Sequence, residues 1–85
     1  MKTFTYTVTD HEGIHARPAG LLVKEAGKYT CGITIDKAGK KADLKRIFAL
    51  MSLAVKKGEQ VAVTCDGTDE DAAAAALEAF FKENL

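Results

Sequence analysis

His11-Glu12-Gly13-Ile14-His15-Ala16-Arg17-Pro18-Ala19 ends a strand, makes a turn and opens a helix, and the rest of the chain can be laid out from it. Pro18 has a fixed φ and no amide hydrogen. That suits the first turn of a helix, where the early N–H groups lack intrahelical acceptors in any case. The helix is therefore expected to start just after His15. Upstream, residues 2 to 9 put Phe4, Tyr6 and Val8 on one face and Thr3, Thr5, Thr7 and Thr9 on the other, the period-two pattern of a half-buried strand. Downstream, Ala19, Leu22, Val23 and Ala26 recur at helical spacing over residues 16 to 27, with Lys24 and Glu25 outward and Gly27 as the stop.

The same two periods continue along the chain. Alternation returns from Cys31 to Asp36 with Ile33 and Ile35, and Lys37-Ala38-Gly39-Lys40 allows a tight turn into a short strand over residues 40 to 43. Residues 46 to 53 read as a short helix. After Lys56-Lys57-Gly58, the run Val61-Ala62-Val63-Thr64-Cys65 is a strand whose inward set is Val61, Val63 and Cys65. Thr68, followed three residues later by Asp71, predicts a capping box, and Asp69 and Glu70 suit the positive end of a last helix. In that helix Ala73, Leu77, Phe80 and Phe81 form the apolar stripe, and Ala72 to Ala76 are helix formers rather than low complexity. The order is βαββαβα. The middle hairpin forces a reversal, which excludes an all-parallel sheet. An α+β fold follows, with three helices on one face of an antiparallel sheet and the other face wet.

Eighty-five residues make one domain, residues 1–85, near the lower limit for a core without metals or disulfides. Twelve Lys and Arg balance twelve Asp and Glu, so no general affinity for nucleic acid or an anionic membrane is expected. The opening residues lack the apolar run of a signal peptide, and no stretch approaches the ~20 apolar residues of a membrane span. A soluble cytoplasmic protein is expected. Cys31 and Cys65, the only cysteines, match neither a zinc site nor a Cys-x-x-Cys motif and read as reduced core thiols.

At the His15 junction the first free amides, those of Ala16 and Arg17, converge near the imidazole, and the positive end of the helix dipole adds to them. This is an anion site beside a nucleophile. A phosphoryl group on an imidazole needs a neutral exposed ring, donors for its oxygens and a cation within reach. An unperturbed histidine titrates near pH ~6.5, a helix N-terminus favours the neutral ring, and Arg17 supplies a planar cation. An isolated His-x-Arg-Pro would be no more than a turn and a helix start, so the wider context decides. His11 and His15 are four apart, as paired helical metal ligands are, but the turn at Gly13 separates them and no third ligand is evident, so no metal is expected. Glu12 reads as an ordinary turn carboxylate rather than a base. The single serine, Ser52, lies in another helix and both cysteines face the core, so a hydrolase triad finds no support.

Gly13 to Ala19, Gly-Ile-His-Ala-Arg-Pro-Ala, closely resembles the phosphorylation-site signature of HPr, the histidine-containing phosphocarrier family of the bacterial phosphoenolpyruvate-dependent sugar phosphotransferase system. Gly39-Lys40-Lys41, the Leu44 to Leu53 run and Asp66-Gly67-Thr68-Asp69-Glu70 are similar in type and spacing, so the resemblance covers essentially the whole chain. It implies an open-faced β-sandwich with strand order 1-4-2-3. It further implies that His15, through Nδ1, accepts a phosphoryl group from enzyme I and passes it to enzyme IIA, as a carrier rather than an enzyme. Arg17 and the amides of Ala16 and Arg17 would hold the phosphoryl oxygens, with no metal or organic cofactor. Arg46 departs from the pattern, standing where many Gram-positive members carry a regulatory serine.

Ile47, Phe48, Leu50, Met51 and Leu53 run nearly all round the short helix, whose neighbours can cover only one side. Leu50 and Leu53 are expected in the core. Ile47, Phe48 and Met51, beside Lys45 and Arg46, are expected at the surface as a docking patch, and the resemblance implies that both enzymes meet the carrier there. A monomer is expected. Two other readings are a regulatory relative in a nitrogen-type branch of the same system, and a binding module in which His15 is never modified.

Overall fold

The computed structural model describes residues 1–85. Its elements are β1 (Lys2–Thr7), α1 (Ala16–Ala26), β2 (Gly32–Lys37), β3 (Lys40–Asp43), α2 (Ile47–Ser52), β4 (Gln60–Asp66) and α3 (Glu70–Asn84), the expected βαββαβα order. The four strands form one sheet in the order β1-β4-β2-β3, with every neighbouring pair antiparallel. Register follows side-chain parity. Phe4, Val63, Ile35 and Ala42 lie opposite one another across the sheet and face inward, while the next row, Thr3, Thr64 and Thr34, lies on the open face. There the Thr3 and Thr64 hydroxyls are 3.1 Å apart and hydrogen-bonded. Alternation of period two thus becomes one dry face and one wet face.

The dry face is covered by three amphipathic helices. Leu22 and Ala26 of α1, Leu50 of α2, and Ala73, Leu77 and Phe81 of α3 join the inward strand residues in a single apolar cluster, with no buried polar side chain in it. Phe81 anchors α3 against β1, its ring meeting those of Phe4 and Tyr6 edge-on with centroids 5.7 and 5.5 Å apart. Phe80 is half-buried and packs against the cluster at the edge of the α3 stripe. The tight turn at Ala38-Gly39 has φ of 51° and 89°, the left-handed pair that a two-residue hairpin needs, and the Asp36 carboxylate accepts the Gly39 N–H at 2.9 Å.

Two expectations are corrected. The first strand stops at Thr7, because Val8 turns into the core and the Thr9 and Asp10 amides donate to the Leu85 oxygen instead of a strand neighbour. The capping box at Thr68 does not form. Asp69 is the N-cap residue of α3, and its side chain makes no cap hydrogen bond. One Asp69 oxygen accepts the N–H and hydroxyl of Thr30 and the other the N–H of Cys31, tying α3 to the approach to β2. Those donors, the Thr30 N–H first, hold the carboxyl well below the usual range, at about 2. Glu70 reaches back to the Gly67 N–H at 3.1 Å, so half of a box exists one residue earlier than the sequence suggested.

Candidate functional site

His15 is the N-cap residue of α1, with extended backbone (φ −99°, ψ 178°), and its carbonyl accepts the Ala19 N–H at 2.9 Å. Its side chain makes no cap hydrogen bond, so the ring is turned outward, with about a third of the side chain exposed (35%). Pro18 has no N–H to offer, and the amides of Ala16 and Arg17 donate to no group of the chain. The expected pair of free donors is therefore present at the start of the helix. Arg17 is exposed, and its guanidinium enters none of the molecule's ion pairs.

The loop that presents the ring is fixed from below. Gly13 N–H donates to the Asp10 carbonyl at 3.0 Å, and Ile14 N–H to the Val55 carbonyl at 3.0 Å, while the Ile14 and Val55 side chains are buried. Gly13 has φ +65°, and a Cβ on it would lie 2.1 Å from the Val55 oxygen. Only glycine permits so close a crossing. Beyond Val8, the Thr9 and Asp10 amides share the Leu85 oxygen at 2.6 and 2.9 Å, so the end of α3 also supports the site.

Sequence reading left one feature of the site unseen. Asp10 Oδ1 lies 3.8 Å from His15 Nε2, and Glu12 Oε2 lies 3.5 Å from Nδ1. The expectation that no third metal ligand is at hand needs correcting, because one donor atom from each of Asp10, Glu12 and His15 falls within 4.8 Å of the others. The two carboxylates sit at opposite nitrogens of the ring, so the cluster is arranged about the imidazole rather than about a common centre. His11 is exposed and takes no part in it.

Comparison with known proteins decides the family. The model of the PTS-HPr family, described as the PTS HPr component phosphorylation site, matches residues 2–83. The chain belongs to the HPr family. It is 42% identical over 77 residues to the phosphocarrier protein HPr of Mycoplasma capricolum, spanning 91% of this chain and 86% of that protein. A solved mycoplasma histidine-containing phosphocarrier superposes with a TM-score of 0.94 at 38% identity, covering 96% of this chain and 93% of the other. The HPr of Bacillus anthracis gives 0.88 at 36% identity, covering 94% and 95%.

In this HPr fold the patch around α2 is less exposed than expected, because Ile47 and Met51 pack against the core cluster and only Phe48 of the three stands out in solvent. Leu50 and Leu53 are buried, Ile47 and Met51 are half-buried, and Phe48 is 86% exposed. Leu21, 49% exposed on α1, is a further exposed apolar side chain that sequence reading did not single out. Its place in the i, i+3, i+4 pattern, one step off the Leu22 stripe, is the signal that marks it as outward. Lys45 differs from expectation. Its ammonium donates to the Tyr29 carbonyl at 2.7 Å and is partly buried, so it braces the loop before β2. Arg46, the N-cap residue of α2, is exposed and forms a loose surface ion pair with Asp43 at 3.8 Å.

Proposed function

We propose that His15 carries the phosphoryl group, accepting it from a phosphohistidine of enzyme I and passing it to a histidine of enzyme IIA. The function is that of the HPr family: a carrier in the phosphotransferase relay that turns over no free substrate. One observation supports His15 above all: its partly exposed ring sits at a helix start where two consecutive amides have no acceptor. Such amides, at the positive end of an eleven-residue helix, suit the equatorial oxygens of a phosphoryl group. Arg17, with no partner of its own, supplies the mobile cation. In each transfer one N–P bond breaks as another forms, so neither a metal nor an organic cofactor is called for.

Ile47, Phe48 and Met51, with Arg46 and Lys45 beside them, form the docking patch for both enzymes, with Phe48 as its most exposed apolar group. The protein works in the cytoplasm as a monomer. No helix is long and apolar enough to cross a membrane. Incubation with enzyme I and phosphoenolpyruvate, read by intact mass, should add one acid-labile phosphoryl group, and His15→Ala should add none while keeping its fold. A phosphorylated His15→Ala protein would refute the assignment, and a wild-type protein that is never modified would favour a binding module.

A further inference from the structure

We infer that Glu59 is a positioning residue for His15: its carboxylate, gripped by Lys37, locks the loop of residues 54–59 on which the His15 loop rests. This builds on the reading of His15 as the phosphoryl acceptor and names what holds that residue in place from outside its own loop.

The His15 loop meets the 54–59 loop at both of its ends. At the start, the Val8 N–H donates to the Glu59 carbonyl at 3.0 Å, and the Val8 carbonyl accepts the Gly58 N–H at 2.7 Å. At the finish, the Ile14 N–H donates to the Val55 carbonyl at 3.0 Å, one residue before the histidine. Between these points Gly13 passes so close that a Cβ would lie 2.8 Å from Lys56 Cα. The placement of the ring and of the free Ala16 and Arg17 amides is thus set by a segment that carries none of them.

That segment belongs to no helix or strand that would hold its shape. Ala54 has φ +50°, a left-handed backbone that a residue with a Cβ keeps only where its surroundings hold it. Glu59 supplies the restraint. Its N–H donates to the Lys56 carbonyl at 3.0 Å and its Oε1 accepts the Lys56 N–H at 2.7 Å, closing the turn from both directions. The same Oε1 accepts the Lys37 ammonium at 3.4 Å, and that ammonium also donates to the Ala54 carbonyl at 3.3 Å. Lys37 is the last residue of β2, and its side chain is only 16% exposed. A largely covered ammonium is costly to leave unpaired, so it stays on these two acceptors and ties both ends of the loop to the sheet. The Lys56 N–H first, and the Lys37 ammonium with it, hold the Glu59 carboxyl below its usual range. Neither side chain bonds to His15 or belongs to the docking patch around α2, so their effect is on placement rather than on contact.

Glu59→Ala and Lys37→Met, the second keeping the apolar stem, test this through two separate readouts. In amide hydrogen exchange, Ile14 should exchange roughly two- to tenfold faster in both variants relative to the central amides of β4, the loss expected when about one hydrogen bond's worth of restraint goes. With enzyme I and phosphoenolpyruvate, the maximal rate of phosphoryl acceptance should fall at an unchanged KM, by at least about threefold and up to roughly a hundredfold. Glu59→Gln keeps an Oε1 acceptor for the Lys56 N–H and should recover most of that rate. Lys40→Met, which removes the exposed cross-strand neighbour of Lys37, should match wild type in both measurements. Wild-type Ile14 exchange in a folded Lys37→Met or Glu59→Ala protein would overturn the inference, whatever the rate. So would a raised KM at an unchanged maximal rate, or faster exchange of Ile14 and the β4 amides alike. If Glu59→Ala does not fold, Lys37→Met alone decides. A wild-type protein that enzyme I never phosphorylates would instead overturn the reading of His15, and the exchange of Ile14 would still show whether Glu59 holds the loop.

Discussion

Replacing Gly13 by alanine tests whether the close crossing of the His15 loop over Val55 sets the stability of the site. Two costs follow from the geometry. An L-residue held at φ +65° pays about 1–2 kcal/mol for its left-handed backbone. The new Cβ would also lie 2.1 Å from the Val55 oxygen and 2.8 Å from Lys56 Cα. The loop must lift, and the Ile14 N–H then loses its acceptor beneath a buried side chain, at about 1–3 kcal/mol. Together these come to roughly 2–5 kcal/mol, against a total on the order of 4–13 kcal/mol for a domain of this length. Gly58 provides the control. Its φ is +87°, but nothing lies within 4 Å of a Cβ built there, so Gly58→Ala should pay the backbone cost alone. In urea or thermal unfolding followed by circular dichroism, Gly13→Ala should therefore fall below Gly58→Ala by about 1–3 kcal/mol, or at least ~5 °C in Tm. Equal losses in the two variants would refute the steric argument and leave the crossing without energetic weight.

Three further outcomes can be checked. The Asp69 carboxyl is held at about 2 by the Thr30 and Cys31 donors, below its unfolded value, so its stabilisation is complete above about pH 4 and is lost as pH falls toward 2. Asp69→Asn should flatten that acid limb, and an unchanged acid profile would show that the bonds do not matter. Cys31 and Cys65 are buried, burial pushing the Cys31 thiol up to about 11 and raising that of Cys65 as well, so a disulfide reagent should label neither before unfolding; prompt labelling of the native protein would contradict their inward parity. With Arg46 at the start of α2 and the single serine, Ser52, at its last residue with its hydroxyl donating to the Ala49 carbonyl, the protein should resist the kinase that modifies HPr on serine. Arg46→Ser should restore modification, and a phosphorylated Ser52 in the parent protein would overturn that expectation.

Much of the fold was legible because its two periods are uninterrupted. The Val61, Val63 and Cys65 alternation placed β4, and the nearly all-apolar α2 correctly predicted that Leu50 and Leu53 go in while Phe48 stays out. What escaped reading depends on groups distant in sequence. Asp69 looked like a carboxylate for the dipole of its own helix, yet its acceptors are occupied by Thr30 and Cys31, and no local pattern announces such a partner. Thr68 has no capping role because Asp69, not Thr68, stands at the N-cap, and Glu70 reaches back to the Gly67 N–H. Asp10 was missed for a related reason: only after the turn closes on Gly13 does it stand beside a ring five positions along.

The sheet order also carries a consequence for how the chain assembles. β2 and β3 meet through a two-residue turn and can pair early, whereas β1 lies at the edge and its only partner is β4, with Lys2 opposite Cys65. Closing that pair brings together chain segments separated by most of the sequence, a slow and entropically costly event in domains of mixed topology. The His15 loop leaves directly from β1. Its geometry is therefore fixed only once this long-range pairing is made, so the phosphoryl-accepting competence proposed for His15 should be acquired with that pairing rather than with the first collapse.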